Sequence, residues 1–201
     1  MSVHLYLEGA AIGPDSKESK IRCREGFRKL LEKCGFKRMP RLYACGSRSV
    51  TFDDFKIGIG NKTPEDFIAM WIDSEDPVQD LNATWEHLKK RDNWPKPNGA
   101  YDEQVLFMTT CMETLIVADH DTLALHYHKL QDSALPKSQN LESRNRSDIQ
   151  ESLIKATRAC TNAYGKNKRS FEILSKLNPD TLEKRLPSFA RTRRILKEKL
   201  K

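Results

Sequence analysis

Two segments of β-strand length each run directly into acidic residues, and this arrangement restricts the fold more than any other feature of the chain. Residues 3–7 are followed by Glu8 and Gly9. Residues 67–72 are followed by three acids: Asp73, Glu75 and Asp76. In an open α/β sheet, ligands bind just beyond the carboxyl ends of the strands. We therefore expect both acidic groups to lie at one edge of a sheet.

The first third of the chain alternates between strand and helix patterns. The first strand is followed by a segment whose apolar residues recur at helical spacing. The predicted elements are a strand at 3–7, a helix at 18–34, a strand at 41–45, a short helix at 50–59 and a strand at 67–72. This β-α-β-α-β order implies a parallel sheet with right-handed crossovers, and hence an α/β fold.

The remainder reads as irregular segments and helices. Predicted in order are an irregular stretch at 77–99, a buried helix at 103–118, a polar loop at 136–148, and helices at 149–161, 170–177 and 187–200. With 38% apolar residues the chain can bury a core. We expect an α/β domain over residues 1–135 and a basic, mainly helical extension over 136–201 that packs on it.

The net charge of +7 is unevenly distributed. Residues 151–201 carry 14 Lys and Arg against 5 Asp and Glu, whereas residues 1–150 carry 21 against 23. A basic segment of this kind indicates either a polyanionic partner such as nucleic acid or a solvated helical surface. Both interpretations are compatible with the charge alone.

The sequence favours a cytoplasmic protein without a membrane span. It has no run of about 18 apolar residues and no start resembling a signal peptide. The five cysteines are odd in number and lack CxxC spacing. We therefore expect reduced core thiols and neither a zinc site nor a disulfide framework.

Carboxylates brought together by two strands repel one another unless a cation neutralises them. Mg²⁺ and Mn²⁺ are hard cations that prefer oxygen ligands. The candidate metal ligands are therefore Glu8, Asp73, Glu75 and Asp76. The alternative is that these acids form ordinary surface turns, which are common after strands.

Glu113 is a further candidate for the site, because it lies among apolar residues of the predicted 103–118 helix. A buried carboxylate costs several kcal/mol unless it is paired or binds a metal. Glu113 is predicted to join the same site as a catalytic residue or ligand. The alternatives are a partner for a basic side chain such as Arg91, or a position facing a small solvated gap.

Basic residues in three places are candidates for binding a nucleic-acid backbone. Residues 164–169 combine an aromatic ring with basic groups, which suits phosphate contact and base stacking. The candidates are Lys89, Arg91, Lys155, Arg158, Lys166, Lys168 and Arg169. The basic face of residues 191–201 suits a nucleic-acid backbone, an acidic protein, or no partner. No glycine-rich phosphate loop is present, which argues against a P-loop hydrolase.

Several stretches, spread over nearly the whole chain, resemble a known family. They comprise residues 6–9, 26–30, 44–48, 72–78, 85–88, 91–94, 112–115, 118–119, 155–158 and 170–172. The run Asp73-Ser74-Glu75-Asp76-Pro77-Val78 is the most specific of them. A strand followed by Glu-Gly, and a later strand followed by an acidic cluster, is similar to the TOPRIM (topoisomerase–primase) arrangement. The chain more closely resembles a bacterial TOPRIM-like family of unknown function, the domain of unknown function 4276.

The resemblance implies a TOPRIM-like site that cleaves phosphodiester bonds of DNA or RNA with Mg²⁺ or Mn²⁺. It implies that Glu8 is the general acid or base and that Asp73 and Glu75 bind the metal. TOPRIM domains usually carry Asp-x-Asp, whereas this chain offers Glu75 as the second ligand, or the pair Asp73 and Asp76.

The resemblance also implies a partner, because members are often encoded beside AAA- or SMC-like ATPases in anti-phage defence loci. The expected function is therefore a metal-dependent nuclease acting with such an ATPase. The alternative is a non-catalytic regulatory or nucleic-acid-binding subunit of the same complex. The residues leave the choice of DNA or RNA, the oligomeric state and the activating trigger open.

Overall fold

A four-stranded parallel sheet lies at the centre of the part of the chain that the computed structural model describes, residues 2–9, 16–165 and 169–201. Its strands are β1 (Ser2–Glu8), β2 (Arg41–Gly46), β3 (Asp66–Asp73) and β4 (Val105–Met108). Their order across the sheet is β2-β1-β3-β4, and all neighbouring pairs are parallel. The predicted α/β fold with a parallel sheet is confirmed.

Helices cover both faces of the sheet. They are α1 (Ser16–Glu32), α2 (Arg48–Asn61), α3 (Thr84–Asp92), α4 (Met112–Ala118), α5 (His120–His126), α6 (Arg146–Thr157), α7 (Ser170–Leu174), α8 (Pro179–Arg185) and α9 (Pro187–Lys199). Helices α2 and α3 bury their apolar residues on one face, and α1 shares the larger core on the other face with α4 to α9. No helix in the described ranges is long and apolar enough to cross a membrane.

The strand sequences explain why the sheet is buried on both faces. In β1, Val3, Leu5 and Leu7 alternate with less buried residues, so one face of that strand points into the larger core. In β3 every residue after Asp66 is buried, as expected for a central parallel strand. Its Trp71 ring lies 5.0 Å from that of Phe27 and 6.2 Å from that of Phe189, measured between ring centroids. These contacts join α1, the sheet and α9.

The strand order determines where a ligand site forms. The chain leaves β1 for β2 on one side and then crosses back to β3 on the other side. Crevices at such a switch point, beyond the carboxyl ends of the strands, are the usual ligand sites of open α/β sheets. Glu8 ends β1 and Asp73 ends β3, so the two acids predicted from the sequence lie at this switch point.

The predicted helix at 103–118 is wrong in its first half. Residues 105–108 form β4, and the helix begins only at Met112. Val105 and Phe107 belong to one core, and Leu106 and Met108 belong to the other. A short run that is apolar at every position fits a strand buried on both faces as well as a buried helix, because it has no polar face to reveal its period.

Two further expectations differ from the structure. Residues 77–99 are not irregular throughout, because α3 occupies Thr84–Asp92. Asp102 anchors the start of α3 by accepting a hydrogen bond from the Trp85 amide at 3.0 Å, a contact that local spacing does not reveal. In the C-terminal part, α8 was not predicted, although Asn178 and Pro179 form a favourable helix start.

The cysteines are buried, as the sequence predicts. All five are free thiols in buried positions. Burial raises the pKa of the Cys23 thiol to about 12, so the reactive thiolate is disfavoured at neutral pH.

A test of the packing compares two helical glycines. A Cβ added at Gly26 in α1 would lie 2.7 Å from the backbone oxygen of Phe171 in α7, whereas one added at Gly60 in α2 meets no described atom within 4 Å. Gly60→Ala should raise the free energy of unfolding by about 0.5–1 kcal/mol, because alanine favours helices. Gly26→Ala should lower it by about 1–3 kcal/mol, because the two helices must separate. Urea unfolding of both variants checks this, and equal effects would contradict the close packing.

Candidate metal centre

Three carboxylates converge at the carboxyl edge of the sheet. Glu8, Asp73 and Glu75 each place one oxygen within 4.8 Å of the other two. Two of them end adjacent strands, and the third follows two residues after β3. The structure thus brings together three of the four carboxylates that the sequence singled out. We refer to Glu8, Asp73 and Glu75 as the acidic triad.

Asp73 is the most buried member of the acidic triad, with 8% of its surface exposed. Its Oδ1 atom is buried and accepts no hydrogen bond from any residue that the structure describes. Burial raises the pKa of Asp73 well above its usual range, and repulsion from Glu8 and Glu113 raises it further. Arg146 and the Met112 amide oppose this shift. Asp73 therefore has an unsatisfied oxygen where added positive charge would be favourable.

Glu8 is held in place by the backbone of the neighbouring strand. Its Oε2 accepts a hydrogen bond from the Asp73 amide at 3.0 Å. The next residue, Gly9, has a φ of +120° and donates its amide to the Gly46 carbonyl at 2.9 Å. A residue with a Cβ rarely adopts this φ, so glycine allows the chain to leave the sheet immediately after Glu8.

Glu75 occupies a turn with a left-handed backbone, at a φ of +68°. This conformation is uncommon for residues other than glycine, and such positions often mark functional sites. The Glu75 amide donates to the Thr110 carbonyl at 2.8 Å, which anchors the turn to the segment after β4. Its carboxylate forms ion pairs with Arg146 and with Arg91, the latter at 3.5 Å.

Asp76 lies apart from the acidic triad. Its side chain is 66% exposed and pairs with the Nε atom of Arg91 at 3.2 Å. Of the two second-ligand assignments that the sequence left open, Glu75 is the one that lies beside Asp73 and Glu8.

Glu113 lies in the first turn of α4 and is almost fully buried. The Tyr164 hydroxyl donates to its Oε1 at 2.7 Å, and the Gln150 amide donates to its Oε2 at 3.2 Å. Its negative charge contributes to the raised pKa of Asp73. Glu113 thus adjoins the acidic triad, and its hydrogen-bond partners are polar neutral groups rather than the Arg91 suggested as one alternative.

Sequence reasoning missed two arginines at this site. Arg48, just after β2, donates to the Asp73 carbonyl at 3.0 Å and to Asp92 at 2.6 Å. Arg146, the first residue of α6, reaches back to the acidic triad across more than 70 residues of sequence. Arg48 follows a strand end, which is a usable signal, whereas nothing in the local sequence around Arg146 connects it with β3.

The predicted phosphate-binding residues have different surroundings. Lys89, Lys155 and Arg158 are exposed, and Arg91 borders the acidic triad. Arg169 donates to the Ala163 carbonyl at 2.6 Å, so part of its hydrogen-bonding capacity stabilises its own loop. The predictions at Lys166 and Lys168 fall outside the described residues.

The basic face predicted near the C-terminus is largely engaged within the molecule. Arg191 is buried and donates to the carbonyls of Val105 and Asp102. Arg193 pairs with Asp180 and Glu183. These two arginines stabilise the C-terminal helices, which leaves less of the positive charge for an external polyanion.

The donor set of the acidic triad fits a hard divalent cation. All three groups are carboxylates, and within the described ranges the buried Asp73 Oδ1 atom receives no hydrogen bond. Magnesium and manganese take oxygen ligands of this kind. Any cation that engages Glu75 must compete with the Arg146 guanidinium, which pairs with the same carboxylate.

Comparison with known proteins identifies the family of the chain but not a function. No curated protein and no solved structure matches it. A family model described as a domain of unknown function, DUF4276, matches residues 17–196. The match includes Asp73, Glu75 and Glu113 and begins after Glu8. Because it spans most of the chain, the protein belongs to the DUF4276 family of unknown function.

Proposed function

We propose that the protein is a Mg²⁺- or Mn²⁺-dependent nuclease that cleaves phosphodiester bonds of DNA or RNA. The observation that carries this proposal is the acidic triad at the switch point of the sheet. It includes a buried Asp73 oxygen to which no described residue donates a hydrogen bond. The resemblance to TOPRIM domains supports the same assignment, with Glu8 as general acid or base and Asp73 and Glu75 as metal ligands. When bound, the metal supplies positive charge that stabilises a transferring phosphoryl group.

The residues of the chain would prepare the site as follows. The Asp73 amide orients the Glu8 carboxylate, so that Glu8 is positioned to accept or return a proton. Burial and nearby carboxylates disfavour the charged form of Asp73, so positive charge placed beside it would be stabilising. Arg91 and Arg146 border the acids and are suited to hold phosphate oxygens, since guanidinium groups bind phosphate through two parallel hydrogen bonds.

Nucleic acid would extend from the acidic triad along exposed basic side chains. Lys89 lies on α3, the helix that carries Arg91. Lys155 lies in the last turn of α6, which begins at Arg146, and Arg158 follows the end of that helix. Each of these two helices thus carries one arginine beside the acidic triad and an exposed lysine at another position. Contacts of this kind hold the backbone without reading its sequence.

The experiment that tests this function measures cleavage of labelled DNA and RNA with Mg²⁺, with Mn²⁺ and with a chelator. The protein is assayed alone and together with any ATPase encoded beside its gene. Asp73→Asn and Glu8→Gln should each reduce metal-dependent cleavage by at least about 100-fold, the size expected when a preorganised charged group at a reacting centre is lost.

The control is Asp53→Asn, which changes an exposed carboxylate on α2 that pairs with Lys56. It should leave cleavage unchanged. Cleavage that survives both triad substitutions, or that needs no metal, would contradict the proposal.

One observation favours the second candidate function, a non-catalytic regulatory or nucleic-acid-binding subunit of an AAA- or SMC-like ATPase complex. Glu75 is paired with two arginines, so its charge is already compensated within the protein. A protein of this type would bind nucleic acid but would not cut it with Mg²⁺, with Mn²⁺ or in the presence of a chelator. Its binding would also be unchanged by Asp73→Asn.

A further inference from the structure

Arg146 forms ion pairs with two members of the acidic triad. It pairs with the Glu75 carboxylate, and its guanidinium lies 4.0 Å from Asp73 Oδ2. Its side chain is 29% exposed, so the group borders solvent on one side and the acids on the other. Among the described residues, both of its ion pairs are with members of the acidic triad.

Arg91 contacts the same Glu75 carboxylate but is held differently. It pairs with Asp92 and Asp76 as well as with Glu75. Arg91 therefore keeps two acidic partners if Glu75 turns away. Arg146 has no comparable alternative in the described part of the molecule, so its position depends on the state of the acidic triad.

We infer that Arg146 couples metal binding to phosphate binding at this site. Without substrate it neutralises Glu75 and competes with a divalent cation for that carboxylate. When a phosphodiester arrives, Arg146 transfers to the phosphate oxygens and leaves Glu75 available to the metal. This inference rests on the proposed function, because it takes the acidic triad to be the metal site.

Physical arguments support both halves of the exchange. A guanidinium and a divalent cation repel each other strongly at separations of a few ångströms. The planar guanidinium of Arg146 can also bind phosphate through two parallel hydrogen bonds, which replace its ion pair with Glu75. Because coupling between two ligands is reciprocal, a phosphate that draws Arg146 away must tighten metal binding, and metal must tighten phosphate binding.

The test measures Mn²⁺ binding to the full chain by titration calorimetry, in the absence of nucleic acid. Arg146→Gln should bind Mn²⁺ about tenfold more tightly than wild type or better, because a competing charge is removed. Arg146→Lys should stay closer to wild type, since it keeps the charge. Arg38→Gln removes the same charge at an exposed position just before β2, away from the carboxyl edge of the sheet, and should leave the affinity nearly unchanged.

A second arm uses dimethyl phosphate, a simple phosphodiester anion, in place of chloride at equal ionic strength. Mn²⁺ should bind wild type more tightly in dimethyl phosphate, and Arg146→Gln should show no such gain. Thermal melting of each variant verifies that it is folded.

The outcomes separate the inference from the proposed function. If Arg146→Gln binds Mn²⁺ no more tightly than wild type, while Asp73→Asn loses binding, the metal site stands and the role of Arg146 is refuted. If Arg146→Gln binds more tightly but dimethyl phosphate has no effect on wild type, the transfer to phosphate is refuted. If neither the wild type nor any variant binds Mn²⁺, the acidic triad is not a metal site, and the inference is refuted together with the proposed function.

Discussion

Replacing Asp73 with asparagine is expected to stabilise the metal-free protein at neutral pH while abolishing its affinity for divalent metal. Burial, Glu8 and Glu113 raise the pKa of Asp73 above the value of about 3.9 found in unfolded chains. Asparagine does not ionise, so the cost of forming a buried charge is absent, and its amide can donate to the neighbouring carboxylates. We therefore expect the free energy of unfolding at pH 7 to be higher in Asp73→Asn than in the wild type.

The pH dependence follows from the same shift. Above pH 4 and up to the raised pKa, the folded protein binds more protons at Asp73 than the unfolded chain does. The contribution of Asp73 to the free energy of unfolding is therefore fully present below about pH 4 and is lost as the pH rises through the folded pKa. Asp73→Asn should lack this loss. Burial also raises the pKa of Glu142, so the difference between the two pH profiles isolates Asp73.

Urea unfolding across the pH range, with and without Mn²⁺, checks both effects. Mn²⁺ should stabilise the wild type and leave Asp73→Asn unaffected, because a ligand stabilises only the state that binds it. Asp53→Asn, at an exposed position, should follow the wild type throughout. If the free energy of unfolding of Asp73→Asn has the same pH dependence as that of the wild type, the pKa of Asp73 is not raised in the folded protein.

Two substitutions at Glu113 should separate its contribution to activity from its contribution to the free energy of unfolding. In Glu113→Gln the side chain still accepts from the Tyr164 hydroxyl, and the Gln150 amide can rotate so that its oxygen accepts from the new NH2 group. The melting temperature should therefore change little. Cleavage should nevertheless fall by about 100-fold or more if Glu113 takes part in proton transfer or charge balance at the site. Glu113→Ala leaves the buried Tyr164 hydroxyl without its acceptor, which should cost about 1–3 kcal/mol. The Gln150 amide, which is only partly buried, loses its acceptor as well.

A double-mutant cycle shows whether the Tyr164 hydrogen bond accounts for part of this cost. If it does, adding Tyr164→Phe to Glu113→Ala should cost less than Tyr164→Phe costs in the wild type. Full cleavage activity in Glu113→Gln would instead show that Glu113 serves only to join α4 to the C-terminal part.

The sequence predicted the centre of the candidate site because that centre depends on strand ends. Strands buried in a parallel sheet are strongly apolar, so acids placed directly after them are conspicuous, as at Glu8 and Asp73. Parallel strands also end at a common edge, which makes their convergence a matter of topology. The local pattern therefore contained the information needed for this part of the site.

The surroundings of the site depend on tertiary packing and were not predictable in the same way. Arg146 and Tyr164 reach the acids from the C-terminal part, and no local periodicity links them to β3. The β4 error has a similar origin, because residues 105–108 are apolar throughout and their alternation between two cores becomes visible only in the folded sheet. Helix α3 depends in part on Asp102, which follows it in sequence.

Because Arg146 and Tyr164 of the C-terminal part contact the acids of the site, the site is completed late in the synthesis of the chain. The ribosome makes Glu8, Asp73 and Glu75 long before Arg146 and Tyr164. A fragment that ends before residue 146 contains all three acids but lacks the guanidinium that pairs with Glu75 and the hydroxyl that holds Glu113. The balance of charge around the acidic triad is therefore established only once most of the chain has been made, and truncated products do not carry a finished site.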